Sequence, residues 1–115
     1  MRKKEDLPEC PAATTINLIG SKWKLLILRE LLSGPRRFNM LKKNLEGISH
    51  KVLTESLRSM EHDGLIMRKV YDTRPISVEY SLSELGMKLK PLLYEMESWG
   101  KFYKTHLINS LFNGL

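Results

Sequence analysis

The sequence predicts a mostly helical α+β domain, and three observations predict it. Apolar residues recur at spacings of three and four through most of the chain, the period of helices packed on one face. The period changes to two only around the turn-forming group Asp72-Thr73-Arg74-Pro75, where a strand pair is expected. A last apolar stripe, from Leu85 to Phe112, is longer than one small domain needs for its own core. At 115 residues, 42% hydrophobic and 28% charged, the chain is one ordinary domain with enough apolar surface for a core. Residues 1–9 read as a flexible tail and residues 10–115 as the domain.

The elements follow in order. Pro11 suits the first position of a helix, because its missing N–H would be unpaired there anyway. That first helix spans about residues 11–19, with Ala13, Ile16 and Ile19 on one face and Gly20 stopping it. Ser21 caps a second helix running to about Leu32, with Trp23, Leu26, Ile27 and Leu31 as its stripe and Leu25, Leu28 and Leu32 widening it. Arg36-Arg37-Phe38 is short and extended. Asn39 is expected to cap a short helix through Leu45, and Gly47 allows a tight turn. Ser49 caps the next helix, to about His62, which buries Leu53, Leu57 and Met60. Ile48 can staple its start onto Leu53. Gly64 and Leu65 suit a Schellman ending. A two-stranded hairpin comes next, with Ile66, Val70, Ile76, Val78, Tyr80 and Leu82 on one face. One final helix, about 84–112, is expected to start at a Ser83 cap and to kink at Pro91.

A short helix, a glycine turn, an amphipathic helix and a hairpin make a winged helix-turn-helix. The DNA major groove, about 12 Å wide, admits one such helix. The outward face of residues 49–62 carries His50, Lys51, Thr54, Glu55, Arg58, Glu61 and His62. Potential base and phosphate readers lie early and acidic residues late, and the helix dipole adds positive potential at the early end. Candidate DNA contacts are therefore Ser49, His50, Lys51, Thr54 and Arg58, joined by Arg74 at the wing tip and by Arg37 and Lys43. Lys51 and Arg58 can donate to guanine or phosphate, Thr54 can meet a thymine methyl, and Ser49 can hold a phosphate. An arginine on a hairpin tip can enter a narrow minor groove. Glu55 either accepts from cytosine or pairs with Lys51 or Arg58.

The formal net charge of +6 is distributed to match. Residues 36–75 carry nine basic against five acidic side chains, whereas residues 1–9 and 76–115 are each neutral. Such a cluster is either the footprint of a polyanion or a solvated basic face. The long final stripe either folds back on its own domain or pairs with a second copy. Homodimerisation is the favoured reading, through Leu92, Met96, Trp99, Phe102 and Tyr103 of that stripe. A two-fold dimer predicts a palindromic operator.

Other classes find no support. The longest aliphatic run, Leu25–Leu28, is far below the roughly 20 residues of a membrane span. Met1–Pro8 is charged, unlike a secretory signal. His50, His62 and His106 lack metal-ligand spacing, and there is neither a phosphate loop nor a nucleophile elbow. No enzyme, metal or cofactor is expected, and a lone cysteine suits a reducing cytoplasm. That cysteine, Cys10, sits at a helix start where unpaired N–H groups favour a reactive thiolate. It is either a thiol sensor for an electrophile or oxidant, or incidental. A winged-helix module that binds protein instead of DNA is the alternative overall.

The combination of Cys10-Pro11, Ile19-Gly20-Ser21-Lys22-Trp23, Arg37-Phe38, Ile48 to Thr54, Leu57 to Ile66, Val78 to Leu82, Leu85-Gly86 and Trp99-Gly100 resembles the HxlR-type winged-helix transcriptional regulators, bacterial and archaeal relatives of the MarR group. The resemblance spans roughly residues 10–103. It implies a homodimer formed by the first and last helices, which adds Ile16 to the interface, and DNA binding through the helix near Ser49 and the wing. It also implies that a cysteine matching Cys10 senses electrophiles or oxidants in some members. Two departures lie on the DNA-reading surface: His50 where glutamine is frequent, and Thr73-Arg74-Pro75 where the wing tip is often Pro-Pro.

Overall fold

The computed structural model describes residues 2–113; Met1, Gly114 and Leu115, the outermost positions of the expected tail and domain, lie outside the described residues. Among the described residues six α-helices and three strands follow in the order α1 (Pro11–Ile19), α2 (Lys22–Leu32), β1 (Arg36–Arg37), α3 (Phe38–Asn44), α4 (His50–His62), β2 (Ile66–Tyr71), β3 (Ser77–Leu82), α5 (Glu84–Met87) and α6 (Lys90–Asn113). The sheet is antiparallel with order β1-β3-β2. The fold is a mostly helical winged helix-turn-helix with a long C-terminal helix.

The core is built where the helical stripes converge. Ile27, Leu28 and Leu31 of α2, Leu41 of α3, Leu53, Leu57 and Met60 of α4 and Leu93 of α6 are buried together. Fully burying such side chains contributes about 1.5–3 kcal/mol each, so α4 is held chiefly by its inner face. Ile48 is buried just before the Ser49 cap, the place of a hydrophobic staple. At the other end, Gly64 (φ +78°) takes the left-handed conformation. The Leu65 N–H donates to the Met60 carbonyl (2.9 Å) and the Gly64 N–H to that of Glu61 (3.0 Å), the two bonds of a Schellman motif. Both ends of α4 are thus fixed by local chemistry, and Lys24 Nζ ties its flank to α2 by donating to Ser59 Oγ (2.8 Å).

Several expectations need correction. The sheet has three strands, because Arg36 and Arg37 pair with Tyr80 and Glu79 of β3. Asn39 does not cap α3: the helix starts at Phe38, with Arg37 in the cap position and no side-chain cap bond. β1 already sets the extended entry that a capping side chain would otherwise fix. The last helix is two helices. Ser83 caps the four-residue α5 by accepting from the Gly86 N–H (3.0 Å), and the chain breaks at Lys88 and Leu89. Pro91 lies in the first turn of α6, where its missing N–H costs little, so it starts a helix instead of kinking one. Leu93, outside the expected stripe, is the residue of α6 that enters the core, while Leu85 is exposed. In the hairpin only Ile66 and Leu82 are buried; Val70 and Ile76 are exposed because the wing projects past the helices.

The start of the chain, read as a flexible tail, carries a 3-10 turn at Lys4–Asp6. Arg2 donates to both oxygens of the buried Asp63 carboxylate (3.0 and 3.3 Å) and also to Asn17. The segment before α1 is therefore attached to the C-terminal end of α4.

Candidate nucleic-acid interface

The N-terminal half of α4 is an open, cationic surface. Ser49 Oγ accepts from the Val52 N–H (3.0 Å), which satisfies one orphan donor and leaves the hydroxyl proton available. His50, Lys51, Glu55 and Arg58 are exposed. The His50 ring packs at 5.0 Å, tilted, against Phe38 of α3, which fixes its direction from the helix start. Among the described residues neither Lys51, Glu55 nor Arg58 forms an ion pair, so of the two alternatives for Glu55 the pairing on the helix is not made.

Thr54 is a correction. It was expected on the outward face, yet it is half-buried, and its Oγ1 is shielded from solvent with no hydrogen-bond partner among the described residues. The reason is rotational: Thr54 and Arg58, one turn apart, lie on the flank of α4 that faces the wing, where they line a crevice with Arg68 and Tyr80.

The wing supplies the second cationic element. Arg74 is exposed at its tip, where the Thr73 hydroxyl donates to the Pro75 carbonyl (2.9 Å). Arg37 and Arg74 border one crevice of about 580 Å³ between the start of α3 and the wing tip. Arg37 is partly committed: its Nη1 donates to Ser77 Oγ (3.1 Å) and its guanidinium lies 5.3 Å from the Tyr71 ring. Lys69 approaches the same ring at 4.9 Å, and the Tyr71 hydroxyl donates to Glu79 (3.1 Å). Sequence reasoning missed this bracing of the wing's outer face. Its signal, Tyr71 beside Lys69, depends on β1 pairing with β3, which no local pattern announces. Lys43 is exposed in the last turn of α3.

On the other side of the sheet, Arg68 Nε donates to both oxygens of Glu61 (3.1 and 3.3 Å), linking β2 to α4. Burial pushes the Tyr80 hydroxyl above its ordinary value of 10.0, with Arg68 and Arg58 pulling it down and Glu61 pushing it up.

The residues expected at a dimer interface lie elsewhere on the surface. Ile16, Leu92, Met96, Trp99, Phe102 and Tyr103 are all exposed, Trp99 at 65% and Phe102 at 69%. Ile16, Ile19, Leu25, Leu92 and Met96 line an apolar hollow of about 300 Å³ between α1 and α6. The Trp99 and Tyr103 rings stack at 5.4 Å. Cys10 is exposed at the cap position of α1. Among the described residues no group of three or more His, Cys, Asp and Glu could hold a metal ion. Among the described residues no helix is long and apolar enough to cross a membrane.

This geometry can be set beside known proteins. The chain is 43% identical over 103 residues to the HTH-type transcriptional regulator YdeP of Bacillus subtilis, covering 90% of this chain and 80% of YdeP. Its fold is similar to the redox regulator HypR in its reduced form, with TM-score 0.82 at 36% identity over 87% of this chain and 99% of HypR. The oxidised form of HypR gives TM-score 0.75 at 39% identity, over 80% of this chain and 95% of that one. Residues 18–107 match the model of the HxlR-like helix-turn-helix family. The chain therefore belongs to the HxlR-like helix-turn-helix family of DNA-binding transcriptional regulators.

Proposed function

We propose that the chain works in the cytoplasm as a homodimer that binds a palindromic operator in duplex DNA and represses transcription by occupying it. α4 enters the major groove with Ser49, His50, Lys51 and Arg58 toward base edges and phosphates, while Arg74 on the wing reaches the minor groove. Arg37 and Lys43 contact the backbone. The observation that carries the reading is the division of the surface. The exposed cations Lys42, Lys43, Lys51, Arg58, Lys69 and Arg74 lie on α3, α4 and the wing, whereas the longest row of exposed large apolar side chains, Leu92 to Phe112, lies on α6.

Salt dependence tests it. Fluorescence anisotropy on duplexes selected from the source genome should give an affinity that falls steeply with salt, by a logarithmic slope near −0.9 per phosphate neutralised. No retention of any duplex at low salt would overturn it and leave a protein-binding module.

We also propose that an electrophile or oxidant modulates this binding at Cys10. Support comes from its exposure at a helix start and from the likeness to HypR, a redox regulator. Cys10 is the chain's one cysteine, so a protein disulfide needs the Cys10 of a second copy. Treatment with an electrophile should change operator binding in the wild type and leave Cys10→Ser unchanged; equal responses remove Cys10 from the mechanism.

A further inference from the structure

The crevice between α4 and the wing sheet, about 280 Å³, is lined by Thr54, Leu57, Arg58, Glu61, Arg68 and Tyr80. Its charge is unbalanced. Glu61 holds Arg68 through Nε alone, so the terminal nitrogens of Arg68 remain unbonded among the described residues. Arg58 makes neither a hydrogen bond nor an ion pair among them. Two guanidinium groups and one carboxylate thus line the crevice, with the Tyr80 hydroxyl beside them and the unsatisfied Thr54 Oγ1 in the wall. A shielded hydroxyl such as that of Thr54 is ordinarily paired, and two like charges lining one crevice favour an anion there. Arginine forks match a tetrahedral oxyanion.

We propose that this crevice is a phosphate-binding pocket in which Arg58 and Arg68 grip one oxyanion, with the Tyr80 hydroxyl donating to it. The phosphate comes either from a DNA backbone, which would lock the wing against α4, or from a free phosphate in solution. The pocket stands whether or not the chain binds duplex DNA.

The test is a titration of the full ¹⁵N-labelled chain with inorganic phosphate at constant ionic strength, read at the arginine Nε–Hε signals. Saturable shifts confined to Arg58, Arg68 and the amides around Thr54 and Tyr80 are expected. Arg58→Gln, at an exposed and unbonded side chain, should weaken the apparent affinity about tenfold or more. Tyr80→Phe, which removes only a hydroxyl, should weaken it about threefold. Non-saturating shifts, shifts spread equally over the exposed lysines, or unaltered affinity in Arg58→Gln overturn the pocket. Repeating the titration with saturating duplex separates the sources. Loss of the phosphate response means that a backbone phosphate fills the pocket; persistence means that free phosphate does.

Discussion

Arg58 carries more of the account than any other side chain. It is the cation of α4 that reaches both the outward face and the wing crevice, and it is exposed and unpaired among the described residues. A reader of guanine loses specificity when removed, whereas a phosphate contact loses affinity uniformly. Arg58→Ala is therefore expected to cost about 1–3 kcal/mol of operator binding and to lower specific binding more than non-specific binding. Parallel anisotropy titrations on selected and scrambled duplexes check this, and equal losses reassign Arg58 to phosphate alone. At this scale the sequence was informative but incomplete. Lys51, His50 and Arg74 stand exposed, as the spacing predicts. Thr54 does not, because the wheel of one helix cannot say which flank a wing will cover. Arg37 faces the same difficulty, since Ser77 and Tyr71 become its neighbours only through sheet pairing.

Element boundaries were legible wherever local chemistry sets them. α1, α2 and α4 begin and end where proline, serine caps and glycine require. They were illegible where a distant partner decides. β1 is two arginines, has no apolar alternation of its own, and exists because β3 offers a free edge. The break between α5 and α6 turns on Pro91, which alone is compatible with a kink or with a helix start. The packing of α5 explains why the start wins. Ser83 Oγ donates to the carbonyls of Gly64 (2.6 Å) and Leu65 (3.0 Å), locking α5 beneath the end of α4. Gly86 is buried there, and a Cβ on it would meet the Leu65 carbonyl oxygen at 2.1 Å. Backbone cannot yield as a side-chain tip can, so Gly86→Ala should destabilise the fold by about 3 kcal/mol or more. Urea unfolding measures it, and a loss below about 1 kcal/mol would contradict the close packing.

The whole molecule is too extended for an isolated domain. Its radius of gyration is 17.0 Å and its longest extent 61 Å, against about 13 Å expected for a compact chain near this length. The cause is α6, whose 24 residues span about 36 Å at a rise of about 1.5 Å per residue. Leu93 is its buried residue, and from Lys101 onward every described position is exposed. A helix that leaves Trp99, Phe102, Leu107, Leu111 and Phe112 in water has an apolar face to cover. A second copy covers it in our proposal. Trp99→Asp, at an exposed side chain that stacks on Tyr103 of its own helix and lies outside the core, should leave the monomer fold intact and shift sedimentation equilibrium toward monomer by tenfold or more in dissociation constant, roughly the cost of burying a charge at the seam. Unchanged association would place the interface elsewhere. The same change should weaken operator binding, since two recognition helices then no longer bind as one unit.

The most direct test of the central claim is a hydroxyl-radical footprint of the wild-type protein on a duplex selected from the source genome. The account predicts two protected patches related by a dyad, with centres about one helical turn, roughly 34 Å, or a multiple of it apart, where the two α4 helices enter the major groove. Minor-groove protection should flank them and disappear in Arg74→Ala. A single asymmetric patch, or protection that ignores sequence and symmetry, would contradict the dimeric operator-binding account.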